Sequence, residues 1–303
     1  MRIFVTGASG WIGSGVVPEL LEAGHHVVGL ARSELSADAL ARAGADVHPG
    51  SLEDLESLRA GAAKSDGVIH LAFIHDFARY QGAVEADQRA IETLGAALEG
   101  SDRPLVIASG VAVLAPDRVA TEEDPPSPDF PRGAAAAMTL ALAARGVRSA
   151  VVRLPPTVHG RGDDGFVPTL IGVARMRGRS GYIGDGANRW PAVHRDDAAR
   201  LFRLAVEDAP AGSILHAVAD EGVPTRSVAE VIGRHLELPV TSVPAEQAGD
   251  HFGWLAPIFA FDAATSSALT RERFAWRPAG PGLIEDLDEG HYFAADAGRG
   301  LPV

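Results

Sequence analysis

The chain has 303 residues, 46% of them hydrophobic and 22% charged, with no cysteine and a formal net charge of −13. That length holds one large domain or two closely joined ones. The missing cysteines exclude disulfides, thiolate nucleophiles and cysteine-based metal sites, and the acidic balance argues against nucleic acid or anionic membranes as partners, since both call for clustered Lys and Arg.

The chain opens with an apolar run, Ile3 to Val5, that leads into Gly7, Gly10 and Gly13. Ile12, Val16, Leu20 and Leu21 then recur at helical spacing. The pattern predicts a strand near 2–6 and a helix near 11–23. The opening leaves no room for the uninterrupted apolar core of a signal peptide, and no later run is long enough to span a membrane, so a cytoplasmic location is the expectation. Further strands are predicted near 26–31, 45–48, 66–72, 103–109 and 148–153, alternating with helices near 36–43, 53–62, 79–99 and 133–145. Such alternation predicts a parallel sheet with helices on both faces and ligands at the carboxyl ends of its strands. A proline-rich acidic loop, 115–131, interrupts the rhythm. Beyond Pro155 short strands (182–183, 190–193, 213–217) mix with helices near 165–177, 195–208, 225–237 and 282–295. The fold class is therefore α/β, a Rossmann-type doubly wound parallel sheet with a small C-terminal α/β lobe. The division falls at 1–156 for the nucleotide-binding part and 157–303 for the substrate lobe, with later segments free to return to the first sheet.

The glycine turn carries the strongest chemical signal. A strand, a tight turn and a helix N-terminus form the geometry that cradles a dinucleotide pyrophosphate, with Gly7, Ser9, Gly10, Trp11, Ile12 and Gly13 around the phosphates. Helix N–H groups and the positive dipole end complete the anion site. The acidic residue that grips the adenine ribose should end the second strand. Here Val27 to Ala31 is followed by Arg32 and Ser33. An acid would repel a 2′-phosphate, whereas an arginine can fork onto it and a serine can donate to it. NADP(H) is therefore the preferred cofactor, with NAD(H) possible.

Thr6 to Gly13 (TGASGWIG) resembles the TGxxGxxG fingerprint of the extended short-chain dehydrogenase/reductases, the NAD-dependent epimerase/dehydratase superfamily. Val68 to Ala72 (VIHLA), Thr121 to Pro125 (TEEDP), Val152 to Gly160 (VRLPPTVHG) and Val193 to Asp197 (VHRDD) are similar to later segments of the same family, in order. The resemblance implies adenine contacts at Ser51 and Leu52. It sets Leu71, Ala72 and Phe73 along the ribose and nicotinamide, Ser109 by the nicotinamide ribose, and Pro155, Pro156 and Thr157 toward the carboxamide. It also implies a homodimer joined through the long helices after strands four and five. One departure is plain. The family's catalytic Tyr-x-x-x-Lys would fall near Pro131 and Ala135, and neither residue is present. The three tyrosines, Tyr80, Tyr182 and Tyr292, have no lysine four residues on, and Lys64 is the sole lysine.

The missing pair constrains the chemistry. Carbonyl reduction places negative charge on oxygen, which needs a proton donor or a stabilising charge. His75, beside Asp76 just past strand four, is the candidate donor, with Ser109 as its catalytic companion; His159 and His194 are further candidates. An iminium substrate, already cationic, would need no strong donor. A third course is a protein that binds NADP(H) without turnover, as a sensor or regulator. Phe73, Phe77, Phe166, Tyr182, Trp190, Phe252 and Trp254 are available either for an apolar substrate pocket or for ordinary core. The scattered histidines give no metal-ligand spacing, so no metal is expected; Asp163-Asp164 and Asp196-Asp197 read as helix starts. The reading is an NADPH-dependent reductase of a C=O or C=N group in a small, fairly apolar molecule, the alternative being a non-catalytic NADP(H)-binding protein.

Overall fold

The computed structural model describes residues 1–74, 80–111, 118–126 and 132–294. Its first part runs β1 (Arg2–Thr6), α1 (Gly13–Glu22), β2 (His26–Ala31), α2 (Glu34–Arg42), β3 (Asp46–Pro49), α3 (Leu55–Ala63), β4 (Gly67–His70), α4 (Tyr80–Leu98), β5 (Pro104–Gly110), α5 (Gly133–Ala141) and β6 (Arg148–Leu154). The second part runs β7 (Thr157–His159), α6 (Phe166–Arg177), β8 (Ser180–Ile183), β9 (Arg189–His194), α7 (Arg195–Asp208), β10 (Ser213–His216), β11 (Asp220–Pro224), α8 (Thr225–Leu236), β12 (Val240–Val243), α9 (Ala248–Phe252), α10 (Ala256–Phe259), α11 (Ala268–Phe274) and α12 (Leu283–Asp288).

Seven parallel strands lie in the order β10-β6-β5-β4-β1-β2-β3. The chain winds outward from β1 in one direction through β2 and β3, then returns to lay β4, β5 and β6 on the other side. The reversal leaves a crevice between the carboxyl ends of β1 and β4, the usual ligand position in such sheets. Alternation along β1 sends its side chains to opposite faces. Ile3 and Val5 pack with Val16, Val17 and Leu20 of α1 and with Leu201, Phe202 and Val206 of α7. Phe4 packs on the other face with Leu58 of α3, Ile91, Leu94 and Leu98 of α4, and Ala135 and Ala136 of α5. Both faces are thus covered, as an all-parallel sheet requires. The later segment 195–216 serves this first layer, since α7 covers one face and β10 extends the edge beside β6.

Most of the remaining C-terminal residues form a lobe with a separate core, while Phe274 and Trp276 pack into the core of the first sheet. The strands of the lobe are β11-β9-β7 and the pair β12-β8. Phe166, Trp190, Phe252, Trp254 and Phe259 cluster inside it among Leu170, Ile171, Val231 and Leu283. These aromatic residues form core. The helix expected over 282–295 is shorter: α12 stops at Asp288, and Gly290, at φ 83°, turns the chain into a short 3-10 segment, His291–Phe293.

Candidate active site

The glycine turn sits at the mouth of the β1/β4 crevice. Gly7 has φ 69°, and a Cβ there would lie 2.6 Å from the Ala72 nitrogen, so only glycine closes this turn. A Cβ on Gly13 would lie 2.2 Å from the Gly7 carbonyl oxygen and 2.6 Å from the Ala8 carbonyl. Gly13, the first residue of α1, is therefore required by the close approach of the helix start to the backbone that leaves β1. Gly10 differs: the nearest atom to its Cβ position is the Gly7 oxygen at 3.3 Å, and the remaining directions are open. No side chain caps α1, and no acidic residue stands in its first turn. An uncapped, acid-free helix start beside an open glycine is a cradle for an anion. The Trp11 indole N–H donates to the Val158 carbonyl at 2.8 Å and its ring lies under Arg195, tying the turn to the C-terminal lobe.

Around this cradle the residues named from sequence fall as follows. Ala31 ends β2 in the position of the ribose-binding acid, and Arg32 is exposed. Ser33 caps α2, its hydroxyl accepting from the Ser36 N–H at 3.2 Å. The Ser51 hydroxyl accepts from the Glu53 N–H, and Leu52 is buried. Leu71, Ala72 and Phe73 follow β4, partly exposed, on the crevice side of Gly7. Ser109, near the end of β5, is buried with no hydrogen bond from its hydroxyl among the described residues. Pro155 and Pro156 lead from β6 into β7. Thr157 is buried, and its hydroxyl has no partner among the described residues. That orphaned oxygen, the open Gly10 and the uncapped helix fit a dinucleotide lying along the carboxyl edge. His75, Asp76 and Phe77 lie outside the described residues. His159 is fully buried, its Nδ1 2.8 Å from the Asp286 carboxylate, and His194 caps α7, its Nδ1 accepting from the Asp196 N–H at 3.3 Å.

A buried polar chain unannounced by the sequence runs beneath this edge. Asp87, on α4, is fully buried. His70 Nε2 stands 3.1 Å from Asp87 Oδ1, and His70 Nδ1 stands 2.7 Å from the Thr6 hydroxyl. An ionised Asp87 can only accept, so His70 carries its proton on Nε2. Nδ1 then accepts from Thr6, whose oxygen accepts from the Ala72 N–H at 3.3 Å. At the far end Arg132 Nε lies 3.4 Å from Asp87 Oδ2, and Arg132 Nη2 donates to the Ala108 carbonyl at 3.0 Å. Burial pushes the Asp87 carboxyl up, but the His70 hydrogen bond and the Arg132 charge outweigh it and hold Asp87 below the ordinary carboxylate range. The Arg132 guanidinium also sits 4.5 Å from the centre of the Phe73 ring, and the Tyr80 ring packs 5.9 Å from Phe73. Burial raises the Tyr80 hydroxyl above its ordinary value, so it stays protonated at neutral pH. Asp87 was findable: an acid at a core position of α4, between Ala83 and Ala90, signals a buried partner. Arg132 was not, because its partners come from α4, β5 and the segment that follows β4.

Other polar clusters are structural. Glu122 accepts from the Thr270 N–H at 2.7 Å and its hydroxyl at 2.6 Å, fastening the acidic loop to α11. Asp197 accepts from the Ala279 N–H at 2.9 Å and the Gly280 N–H at 2.8 Å, bracing a distant loop instead of capping its own helix. Asp163 does stand at a helix start, accepting from the Gly165 N–H at 2.7 Å. Among the described residues, Asp286, Glu289 and His291 are the one group close enough to hold a metal ion, and Asp286 is already engaged by His159 and His291. An open groove of about 880 Å³ lies along the start of β10, away from the carboxyl edge.

A doubly wound parallel sheet with a glycine cradle at its switch point defines a dinucleotide-binding α/β enzyme class. The chain belongs to the NAD dependent epimerase/dehydratase family, whose model matches residues 3–217, a family of nicotinamide-dependent enzymes of oxidoreductase type. It is 52% identical to an uncharacterized protein of Schizosaccharomyces pombe over 97% of this chain and 100% of that one. It is 31% identical to a 4-hydroxy-2-methyl-3-oxo-4-farnesyl-3,4-dihydroquinoline-1-oxide ketoreductase of Stigmatella aurantiaca, over 84% of this chain and 80% of that one. Among solved structures, it is similar to the UDP-glucose 4-epimerase of Thermus thermophilus in complex with NAD, at TM-score 0.72 and 20% identity over 97% of this chain and 100% of that one, a likeness of fold.

Proposed function

We propose that this protein is an NADPH-dependent reductase of a C=O or C=N group in a small, fairly apolar molecule. The observation that carries the reading is the open, uncapped glycine cradle at the switch point, joined to a β2 end without an acid. When bound, the dinucleotide supplies the hydride. The backbone of residues 7–13 holds the pyrophosphate. Arg32, exposed and without a hydrogen-bond partner among the described residues, meets the 2′-phosphate at the start of α2. Leu71, Ala72 and Phe73 line one side of the nicotinamide end. Ser109 and Thr157 offer hydroxyls on the other. The ketoreductase relative supports reduction as the direction of chemistry.

The absent Tyr-x-x-x-Lys favours a second reading, a protein that binds NADP(H) without turnover. Mixing the purified protein with NADPH and a panel of ketones, oxo acids and cyclic imines, and following nicotinamide absorbance, separates the two. Substrate-dependent oxidation supports the reductase. Tight NADPH binding with no oxidation by any member would replace it with the binding reading. The further attributes that go with the reductase are a cytoplasmic location and a homodimer through α4 and α5. No helix among the described residues is long and apolar enough to cross a membrane.

A further inference from the structure

The Arg132 guanidinium is held from three sides, and one side is left open. Asp87 faces Nε, the Ala108 carbonyl takes a hydrogen from Nη2, and the Phe73 ring lies against the plane. The Nη1 group and the second Nη2 hydrogen have no partner among the described residues. The side chain is 16% exposed and packs beside Phe73, just after β4, and Ala108 of β5, at the carboxyl edge of the sheet. The anchoring is deep: Asp87 is fixed by His70, and His70 by Thr6, the residue before the glycine turn. A guanidinium fixed this way loses little freedom when an acceptor arrives.

Resting on the reductase reading, we propose that Arg132 binds the substrate's carbonyl oxygen, and that the substrate is an oxo acid or dicarbonyl compound whose second oxygen shares the same guanidinium edge. Two parallel N–H donors match two acceptor oxygens carried on nearby carbons. Hydride forms a bond to the carbonyl carbon as the C–H bond of the reduced nicotinamide breaks. The C=O electron pair moves to oxygen, where Arg132 stabilises it, and that oxygen then takes a proton from water. An arginine stays charged throughout the physiological range, so it stabilises without donating its own proton. The same permanent charge opposes a cationic iminium, so Arg132 selects C=O over C=N. It replaces the missing tyrosine and lysine by charge alone.

The test compares wild type, Arg132→Gln and Arg132→Lys. The readouts are NADPH affinity by fluorescence, acetoacetate affinity for the NADP⁺-saturated protein by calorimetry, and turnover of oxo acids against cyclic imines. The proposal expects acetoacetate to bind wild type and turnover to be confined to oxo compounds. It expects Arg132→Gln to lose acetoacetate affinity and about a hundredfold in kcat/KM, the usual scale for an oxyanion donor, while keeping NADPH affinity. Arg132→Lys keeps the charge beside Asp87 and should recover part of both losses, which a folding defect would not produce. Undiminished acetoacetate binding in Arg132→Gln, no acetoacetate binding by wild type, or turnover of imines alone would overturn the proposal. Wild type that binds no nucleotide would instead defeat the reductase reading itself.

Discussion

The three glycines of the turn have unlike duties, and single substitutions should separate them. A methyl on Gly13 would meet backbone atoms at 2.2 and 2.6 Å that have nowhere to go. Gly13→Ala should therefore lower stability by about 1–3 kcal/mol, the range for overpacking, seen as a lower denaturation midpoint. Gly10→Ala meets only the Gly7 oxygen at 3.3 Å; it should keep the midpoint and lose nucleotide affinity. Equal midpoints for both variants would refute this assignment. The turn was legible because its residues are contiguous. Arg132 was not, because the count toward positions 131 and 135 looked for a tyrosine and a lysine, while its anchor is assembled from Asp87 on α4, Ala108 on β5 and Phe73 in the segment after β4.

At the scale of elements, α7 braces the molecule through Asp197. Its carboxylate accepts from two backbone N–H groups at 279–280, and Trp276 donates to its carbonyl at 3.1 Å. Asp197→Ala would strand both N–H groups and should cost about 3 kcal/mol, measured by chemical denaturation; a change under half that would mean water replaces the carboxylate. The outward face of α5 presents Ala134, Ala137 and Ala141, all exposed. If the homodimer closes there, Ala137→Glu should convert a dimer to a monomer in sedimentation at micromolar concentration; a wild-type monomer would discard the dimer. Strands β1, β2, β4, β5 and β6 could be read from their apolar runs, and β3, Asp46–Pro49, from its place in the alternation. Strand β11, Asp220 to Pro224, could not: it contains Gly222 and ends in Pro224, so pairing with β9 rather than its own pattern makes it a strand. The same holds for β7, three residues long, and β12.

Across the whole molecule, the C-terminal segment is latched to the loop after β7 by Asp163 and Tyr292. The Tyr292 hydroxyl donates to Asp163 Oδ2 at 3.1 Å and accepts from the Gly160 N–H at 3.0 Å. Burial pushes the Asp163 carboxyl up to about 7, against the hydrogen bonds from Gly165 and Tyr292 that lower it. The folded value is raised above the unfolded one. The contribution is thus fully present below the ordinary aspartate value near 4 and is lost as pH rises through 7. Asp163→Asn keeps an acceptor for Gly165 without the charge. Its melting temperature should fall less than that of wild type between pH 5 and 8, and parallel profiles would show that Asp163 does not set this dependence.

The two sides of the winding meet at β1 and β4, and everything proposed for function depends on a dinucleotide lying across that seam. Fluorescence titration of the purified protein with NADPH and NADH, repeated on Arg32→Ala, tests this most directly. The account predicts saturable binding of both, tighter for NADPH, with the preference lost in Arg32→Ala. Binding of neither nucleotide would contradict it and leave the glycine turn a structural feature alone.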